Sequence, residues 1–431
     1  MDQERLNALL DETADQRFKG LSGQVLGRTL REILASRPSL FDGTFSPPVM
    51  ALRQSALEQD LDTMASYCAE RGVLLAPHGK TTLAPQLFAR QLERGAWGIT
   101  LATPSQVMLA RSFGVSHVLM ANELADPVAA TWVLEQLRAD DEFEFLCYVD
   151  SVAGVKLLAE VFAQQGDGRG FDVLVEMGPV GGRTGCRTVD AAVEVARAAA
   201  AVPGVRVVGV AGYEGGIGHD LVSSVFERVR AFLGLMRTTT ERLLVDDLLG
   251  VREGKVLLSA GGSVFFDDVV DVLAPPLADG TPVQCVIRAG SYVTHDSGLY
   301  AEISPFTREG ANPKWRLAPA IEVWGQVLSA PEPGLALVGM GKRDAAFDEG
   351  LPIPSRLRSR STGEWVDASS LKVTSLNDQH AFVAVPDGFT VEFGDWLMSG
   401  ISHPCTQFDK WHLIPVVDDD YIVVDFIRTF F

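Results

Sequence analysis

Lys80 is the side chain whose place in the sequence most clearly allows chemistry. It lies in the sequence PHGKT at residues 77–81, directly after the apolar run 73–76, which predicts a buried strand. Parallel α/β folds place their reactive groups at the carboxyl ends of such strands. Partial desolvation there lowers the pKa of an amine and makes it a usable nucleophile. The alternative interpretation is a lysine at a strand end that simply extends into water.

His403 and Cys405 form a second reactive pair. They are separated by Pro404, and residues two apart project to the same side of an extended chain. Both side chains are good zinc ligands, and a thiolate favours zinc over manganese or magnesium. Two ligands do not complete a metal site, so the alternative is a coincidence of two residues in a loop.

A glycine pair marks a possible phosphate site. The sequence SAGGS at residues 259–263 ends one predicted strand and precedes a predicted helix. Glycines allow backbone N–H groups to approach a phosphate, and a helix N-terminus favours negative charge. The candidate donors are Gly261, Gly262 and Ser263, and the alternative interpretation is an ordinary tight turn.

Short apolar runs that alternate with amphipathic helices must position these residues. This alternation argues for a parallel sheet, and about eight units in roughly 250 residues fit a closed β/α barrel. An open, doubly wound sheet is the alternative, but no glycine-rich dinucleotide fingerprint follows the first predicted strand. The predicted strands are residues 49–52, 73–76, 97–101, 117–121, 143–149, 171–176, 205–210, 256–259 and 283–288.

The pattern changes near residue 305. Strand-like runs separated by Gly, Pro, Asp and Asn then predict a mainly antiparallel β domain. These runs are residues 320–328, 334–338, 371–376, 381–384, 396–398 and 421–424. We therefore expect a helical N-terminal extension at 1–45, a barrel at 46–304 and a C-terminal β domain at 305–431. The extension either caps the barrel or shapes an entrance to it.

The order of these motifs resembles the D-threonine aldolase/D-serine dehydratase family, whose members are pyridoxal-phosphate enzymes with an alanine-racemase-like barrel. The resemblance covers roughly residues 47–415 and includes the sequence PHGKT, the glycine pair and the late His-x-Cys pair. It implies that Lys80 holds the cofactor covalently and that His78 belongs to the cofactor-binding segment. It also implies that Gly261, Gly262 and Ser263 bind the cofactor phosphate.

Two further loops match the family by resemblance. Arg183 lies in the sequence GRTG at 182–185 and is expected beside the pyridine ring, where a cation limits protonation of the ring nitrogen. Tyr213 is expected to touch the ring. Without the resemblance, these would be a solvated arginine and a core tyrosine. A third stretch follows the last barrel strand, with Ala289 in place of the family's usual proline. It gives further phosphate or substrate contacts: Gly290, Ser291 and Tyr292.

The resemblance also gives the metal pair a role. Within the family, the aldolase branch carries His-x-Asp and the D-serine dehydratase branch carries His-x-Cys near the cofactor. Cys405 therefore implies the dehydratase branch and a divalent metal, zinc first, with manganese or magnesium as alternatives.

The expected reaction converts a D-3-hydroxy amino acid to a 2-oxo acid and ammonia. D-serine, D-threonine and D-glucosaminate are candidate substrates. The alternatives are retro-aldol cleavage to glycine and an aldehyde, an amino acid racemase, and a non-catalytic cofactor-binding protein.

Composition excludes several other classes. With 37 basic and 56 acidic residues, the net charge of −19 disfavours binding to nucleic acid or to anionic membranes. No apolar run is long enough to span a bilayer, and the charged N-terminus lacks a signal-peptide core. Five scattered cysteines indicate a reducing cytoplasm rather than a disulfide framework. The resemblance implies a homodimer.

Overall fold

The first strand, β1 (Val49–Arg53), belongs to the C-terminal sheet and not to the barrel. Leu52 pairs with Ile321 in antiparallel register and with Val416 in parallel register. The prediction that residues 49–52 form the first barrel strand is therefore wrong. Its residues 49–52 are fully buried, and a short apolar run has the same pattern in either kind of sheet.

The computed structural model describes residues 1–166 and 168–431, which divide into two compact units. The first unit, hereafter the barrel unit, contains residues 65–80 and 91–290 together with Met1. The second, hereafter the β unit, contains residues 2–64, 81–90 and 291–431. These ranges do not follow the sequence boundaries at 45/46 and 304/305, because the N-terminal segment and β1 pack with the C-terminal sheet.

Eight parallel strands form the sheet of the barrel unit. Each strand pairs in parallel with its neighbours in the order β2-β9-β8-β7-β6-β5-β4-β3. A parallel bridge between His78, just after β2, and Thr100 on β3 closes the ring. The predicted β/α barrel is thus confirmed. The strands are β2 (Leu74–Leu75), β3 (Ile99–Leu101), β4 (His117–Glu123), β5 (Glu144–Val149), β6 (Phe171–Met177), β7 (Val205–Gly212), β8 (Val256–Ala260) and β9 (Val283–Ile287).

Most helices begin at a side chain that caps them. Thr103, Asp126, Ser151 and Thr188 each accept a backbone N–H of the first helical turn, which satisfies a donor that the helix itself cannot. In the described part of the chain, no helix combines the length and the apolar character needed to cross a membrane. The helices are α1 (Gln3–Ala8), α2 (Leu30–Ala35), α3 (Gln54–Arg71), α4 (Pro85–Glu93), α5 (Pro104–Ser112), α6 (Pro127–Ala139), α7 (Val152–Gln165), α8 (Val189–Ala200), α9 (Ser223–Val245), α10 (Phe266–Leu273) and α11 (Leu299–Ile303).

Strands of the β unit pair mainly antiparallel, as predicted. The central path of the larger sheet runs β13-β12-β16-β10-β1-β17-β18, and β11, β14 and β15 extend it from β10. These strands are β10 (Ile321–Glu332), β11 (Leu335–Val338), β12 (Ile353–Arg358), β13 (Trp365–Asp367), β14 (Lys372–Leu376), β15 (Ala381–Ala384), β16 (Trp396–Gly400), β17 (Leu413–Val417) and β18 (Val423–Arg428).

The N-terminal segment is less helical than the sequence predicts. Within residues 1–45, α-helix is confined to α1 and α2, and turns and bridges make up most of the rest. Its apolar side chains, such as Phe18 and Phe45, share a buried cluster with Trp324 and Phe426. The segment therefore covers the larger sheet of the β unit and takes part in its core.

Candidate active site

A cavity of about 210 Å³ lies within the barrel unit at the carboxyl ends of the strands. Six side chains or loop residues that the sequence analysis singled out line it: His78, Lys80, Arg183, Tyr213, Gly261 and Gly262. Tyr148, Glu176 and Arg288 line it as well. The barrel thus brings together groups from strand ends separated by up to about 200 residues of sequence, which is how parallel barrels build sites.

Lys80 lies in a short 3₁₀ turn (Gly79–Thr81) directly after β2 and lines this cavity. Its side chain is exposed, so the desolvation expected from the sequence is not present around it. His78, two residues earlier, has a pKa well below its usual value, because it is buried and because Lys80 and Arg288 add positive charge nearby. Its Nδ1 is buried and has no hydrogen-bond partner in the described part of the chain. The histidine is therefore neutral and retains an unused polar atom beside the cavity.

Arg183 and Tyr213 lie against each other. The guanidinium carbon of Arg183 is 4.4 Å from the centroid of the Tyr213 ring, within the range of a cation–π contact. Arg183 comes from the loop after β6, and Tyr213 directly follows β7. Strands β6 and β7 are neighbours in the barrel. Adjacent strand ends explain why two motifs 30 residues apart meet.

The two glycine amides are already engaged by a carboxylate. Glu214, which is fully buried, accepts the N–H of Gly261 at 3.0 Å and the N–H of Gly262 at 2.7 Å. Gly261 has a φ of +94°, a conformation that favours glycine over residues with a Cβ. The third predicted donor, Ser263, is half-buried. The loop therefore binds an anionic group of the protein itself.

Three carboxylates meet at the ends of β4, β5 and β6. One oxygen from each of Glu123, Asp150 and Glu176 lies within 4.8 Å of the others. Burial, together with the charges of the other two, raises the pKa of Glu123 to about 8. Burial also raises the pKa of Glu176, although Thr184, Arg288 and Arg183 oppose that rise. The raised pKa of Glu123 favours its protonated form at neutral pH, which reduces the negative charge of the cluster.

The stretch after β9 passes close to the lysine segment. A Cβ at Gly290 would lie 2.5 Å from the carbonyl oxygen of His78, so only glycine fits there. Ser291 and Tyr292 follow in the β unit and are buried. The Ser291 hydroxyl lies 3.5 Å from the Cys405 thiol, which places this residue beside the predicted metal pair.

His403 and Cys405 form the centre of a polar cluster in the β unit. Nδ1 of His403 lies 2.7 Å from Oδ2 of Asp348, and Thr406 donates to the other oxygen of Asp348 at 2.6 Å. On the other side, the Thr81 hydroxyl is 3.3 Å from the Cys405 sulfur. Thr81 directly follows Lys80 in the sequence.

Electrostatics favour the ionised forms of this pair. Burial lowers the pKa of His403, but its contacts with Cys405 and Asp348 outweigh burial and raise that pKa to about 9. Burial raises the pKa of the Cys405 thiol, but hydrogen bonds and the His403 charge lower it below its usual value. To ligate a metal ion, His403 must release the extra proton, and the ion would then take the place of that proton beside the thiolate. A thiolate beside an imidazole that a carboxylate orients fits such an ion, since histidine ligands commonly use their second nitrogen in this way. Asp348, Glu349 and His403 also each offer a ligand atom within 4.8 Å of the others.

Comparison with known proteins agrees with this architecture. Residues 320–417 match the family described as "Putative serine dehydratase domain". Over 385 residues the chain is 25% identical to the 3-hydroxy-D-aspartate aldolase of Paracoccus denitrificans (strain Pd 1222), a match that covers 87% of this chain and 90% of that protein. These matches support the likeness to the D-threonine aldolase/D-serine dehydratase family. The resemblance inferred from the sequence is thereby confirmed.

Solved structures share the fold of this chain. The crystal structure of D-threonine aldolase from Filomicrobium marinum has a TM-score of 0.72 at 24% identity and covers 90% of this chain and 95% of its own. D-threo-3-hydroxyaspartate dehydratase from Delftia sp. HT23 has a TM-score of 0.69 at 20% identity and covers 90% of this chain and 98% of its own.

Sequence reasoning assigned no role to four side chains: Tyr148, Glu214, Arg288 and Asp348. Glu214 directly follows the motif residue Tyr213, and the other three are single residues outside the recognised motifs. Their positions relative to the predicted strands could have indicated three of them. Tyr148 lies on a barrel strand, and Glu214 and Arg288 lie one or two residues beyond the end of a barrel strand. Elsewhere in the β unit, Asp344 is a buried partner of Lys19 and Gln379, and His380 is exposed.

Proposed function

We propose that the chain is a pyridoxal-phosphate- and metal-dependent lyase that dehydrates a D-3-hydroxy amino acid to a 2-oxo acid and ammonia. The observation that carries this proposal is the His403–Cys405 pair with Asp348 at 2.7 Å from the histidine. A thiolate ligand is the feature that separates the dehydratase branch from the aldolase branch, and the carboxylate holds the imidazole in a ligating orientation.

The barrel cavity fits the cofactor. It holds an exposed lysine, two arginines and a neutral histidine at strand ends. The buried hydroxyl of Tyr148 and Nδ1 of His78 have no hydrogen-bond partner among the residues that the structure describes. Buried polar atoms without partners are costly, so they indicate a polar ligand in this place. When bound, pyridoxal phosphate supplies an aldehyde that condenses with amines and a ring that stabilises negative charge at the α-carbon.

This chain's own residues then have defined tasks. The Lys80 amine would hold the cofactor and could act as the base for the α-proton. Arg183 and Tyr213 would offer a cation and an aromatic face to the cofactor. His403 and Cys405 would hold the divalent metal, which would supply Lewis acidity for loss of the hydroxyl group. Asp348 fixes the orientation of His403.

Zinc is the metal we propose, because one ligand is a thiolate. Two structures of a D-threo-3-hydroxyaspartate dehydratase give outside support. In one, a histidine is replaced by alanine, and in the other, described as metal-free, the cysteine two positions later is replaced. That spacing matches His403 and Cys405.

Retro-aldol cleavage is the second candidate reaction, and the names of the relatives favour it. The similar proteins from Paracoccus denitrificans and Filomicrobium marinum are an aldolase of 3-hydroxy-D-aspartate and one of D-threonine. The deciding experiment incubates enzyme reconstituted with cofactor and zinc with a panel of D-3-hydroxy amino acids. Ammonia and a 2-oxo acid support dehydration, whereas glycine and an aldehyde contradict it. D-Alanine, which has no hydroxyl, serves as the control, because its conversion would identify a racemase. If neither D-alanine nor any D-3-hydroxy amino acid of the panel is converted, the chain is a non-catalytic binding protein.

We also propose that the active form is a homodimer in the cytoplasm. All five cysteines are free thiols, which suits a reducing compartment. Light scattering of active fractions tests the assembly, because a single chain has a mass of 46.5 kDa. Only monomer in active fractions would contradict the dimer.

A further inference from the structure

Arg288 is a buried cation at the inner end of the barrel cavity. It follows β9 directly and is only 5% exposed. Its guanidinium donates to the hydroxyl of Ser259 at 2.7 Å and to the carbonyl of Gly212 at 2.6 Å. Both acceptors are uncharged. They fix the position of the guanidinium across β7 and β8 but leave its charge without compensation.

No carboxylate compensates Arg288 at close range. Within residues 1–166 and 168–431, its guanidinium has no ion pair within 4 Å. Glu176 lines the same cavity, but burial raises its pKa, so it is a weak counter-ion. Lys80 and Arg183 add further positive charge to the lining. A buried charge is costly unless it is paired, so this arrangement calls for an anion from outside the protein.

A second donor points to the same conclusion. Tyr148, on β5, is 2% exposed, and its hydroxyl has no hydrogen-bond partner within residues 1–166 and 168–431. Its ring centroid lies 5.9 Å from the guanidinium carbon of Arg288, and both side chains line the cavity. An unpaired buried hydroxyl near an uncompensated guanidinium forms a site of the kind that binds carboxylate or phosphate oxygens.

The obvious backbone donors are not available for that anion. The N–H groups of Gly261 and Gly262 both donate to Glu214. Two anions cannot use the same two N–H groups, so an anion in this cavity needs donors from other residues.

We propose that Arg288, with the Tyr148 hydroxyl as second donor, binds an anionic oxygen group of the ligand that occupies the barrel cavity. This inference rests on the proposed function, under which the anion is either the phosphate of pyridoxal phosphate or the carboxylate of the amino acid. Arg288 is in that case a binding residue of the active site. The charge of its guanidinium then contributes more to ligand affinity than the packing of its side chain does.

The test compares Arg288→Met, Arg288→Lys and Tyr148→Phe with wild type as full-length protein. Arg206→Met is the matched control, since it removes the same charge from an exposed pair with Asp172 in the barrel unit. Circular dichroism and thermal unfolding establish that each variant is folded. Arg288→Lys keeps the charge, so it remains informative if Arg288→Met does not fold.

Three titrations separate the sources of the anion. If the cofactor phosphate is bound, Arg288→Met loses at least tenfold in affinity for pyridoxal phosphate and little for pyridoxal, which lacks the phosphate. If the substrate carboxylate is bound, cofactor affinity is kept and KM rises at least tenfold. Arg288→Lys and Tyr148→Phe show smaller losses in the same titration. Unchanged cofactor affinity and unchanged KM in Arg288→Met would overturn the proposal.

Inorganic phosphate and acetate provide a readout that is independent of the reaction. We expect these anions to raise the thermal unfolding temperature of wild type and of Arg206→Met, but not that of Arg288→Met. A wild type that binds phosphate through Arg288 but does not bind pyridoxal phosphate would contradict the proposed function and leave the anion site standing. Equal responses of wild type and Arg288→Met to both anions would contradict the anion site alone.

Discussion

The carboxylate of Glu214 accepts the backbone N–H of Gly262 at 2.7 Å, and its second oxygen accepts the N–H of Gly261. These are the amides that the sequence assigns to a phosphate. Glu214 is fully buried, and these two hydrogen bonds offset the free-energy cost of removing its carboxylate from water. The loop after β8 is therefore preorganised around an anion of the protein itself.

Glu214→Gln should destabilise the fold, because a carboxamide places an N–H₂ group opposite one of the two backbone donors. We expect a loss of about 1–3 kcal/mol in the free energy of unfolding. Urea unfolding provides the measurement. Glu241→Gln is the control, since Glu241 accepts one backbone N–H at an exposed site. Equal small effects of the two substitutions would show that the Glu214 bonds contribute little.

Lys80→Ala should remove the visible absorption band of the bound cofactor and all activity while the fold persists. An exposed side chain contributes little to a core, whereas the covalent bond to the cofactor has no substitute. Borohydride reduction followed by peptide mapping identifies the lysine that carries the cofactor. Lys156→Ala, on the exposed face of α7, should behave as wild type. A mapped label on any lysine other than Lys80 would contradict the assignment.

Metal binding should protect Cys405 from alkylation. In metal-free protein this thiol, whose pKa lies below its usual value, should react first with iodoacetamide. Cys68, Cys186 and Cys285 are buried, and burial raises the pKa of each to about 12, so they act as internal controls. Zinc should block labelling of Cys405 in wild type but not in His403→Ala. Labelling that is indifferent to zinc would exclude Cys405 as a ligand.

Cys405→Asp should change the preferred metal and the reaction. A carboxylate is a harder ligand than a thiolate, so the preference should move toward manganese. We expect dehydration to fall severely and aldol cleavage to appear, and product analysis with each metal provides the measurement. Cys405→Ser, which changes the ligand without adding a carboxylate, is the control. Full dehydration by chelated, metal-free wild type would show that the metal has no part in this step.

Asp60 should make stability depend on pH. It is fully buried on α3 and accepts one N–H from Ala318 at 2.7 Å. Its second oxygen has no hydrogen-bond partner among the described residues. Burial raises its pKa from 3.8 to about 9. Between these values the folded state holds a proton that the unfolded state has lost, so the free energy of unfolding falls as pH rises.

Asp60→Asn removes this titration and should stabilise the protein at pH 8 by at least about 1 kcal/mol, with a smaller gain at pH 5. Urea unfolding at both pH values is the measurement. Asp62→Asn, at an exposed position of the same helix, is the control. A gain that did not grow with pH would contradict the raised pKa.

The barrel was predictable because each of its strands is a short apolar run between amphipathic helices. The same apolar pattern gave a wrong prediction for β1, which belongs to the sheet of the β unit. Its residues 49–52 are as buried as those of any barrel strand. Strand β17 was missed because Pro415 interrupts its apolar run, and proline usually argues against a paired strand. Strand β12 was missed for a similar reason, since Pro354, Arg356 and Arg358 hide its alternation.

The candidate site was predictable where a motif of several residues carried the signal, as around Lys80 and His403. Glu214, Arg288 and Asp348 could not be found in this way, because their roles arise from partners that only the fold brings near. Burial without a charged partner, which identifies Arg288, is a property of three-dimensional packing and leaves no pattern in the sequence.

The position of β1 has a consequence for how the protein acquires its fold during synthesis. Val49 pairs with Trp324, which emerges from the ribosome about 275 residues later. At roughly 5–20 residues per second, β1 and the apolar segment before it wait on the order of 15–55 s for their partner strand. All barrel strands are synthesised during that interval, because the last of them ends at Ile287, and domains generally fold as units during synthesis. Nascent chains halted before residue 320 should therefore expose the N-terminal segment to protease and to chaperones, while the barrel strands are already protected.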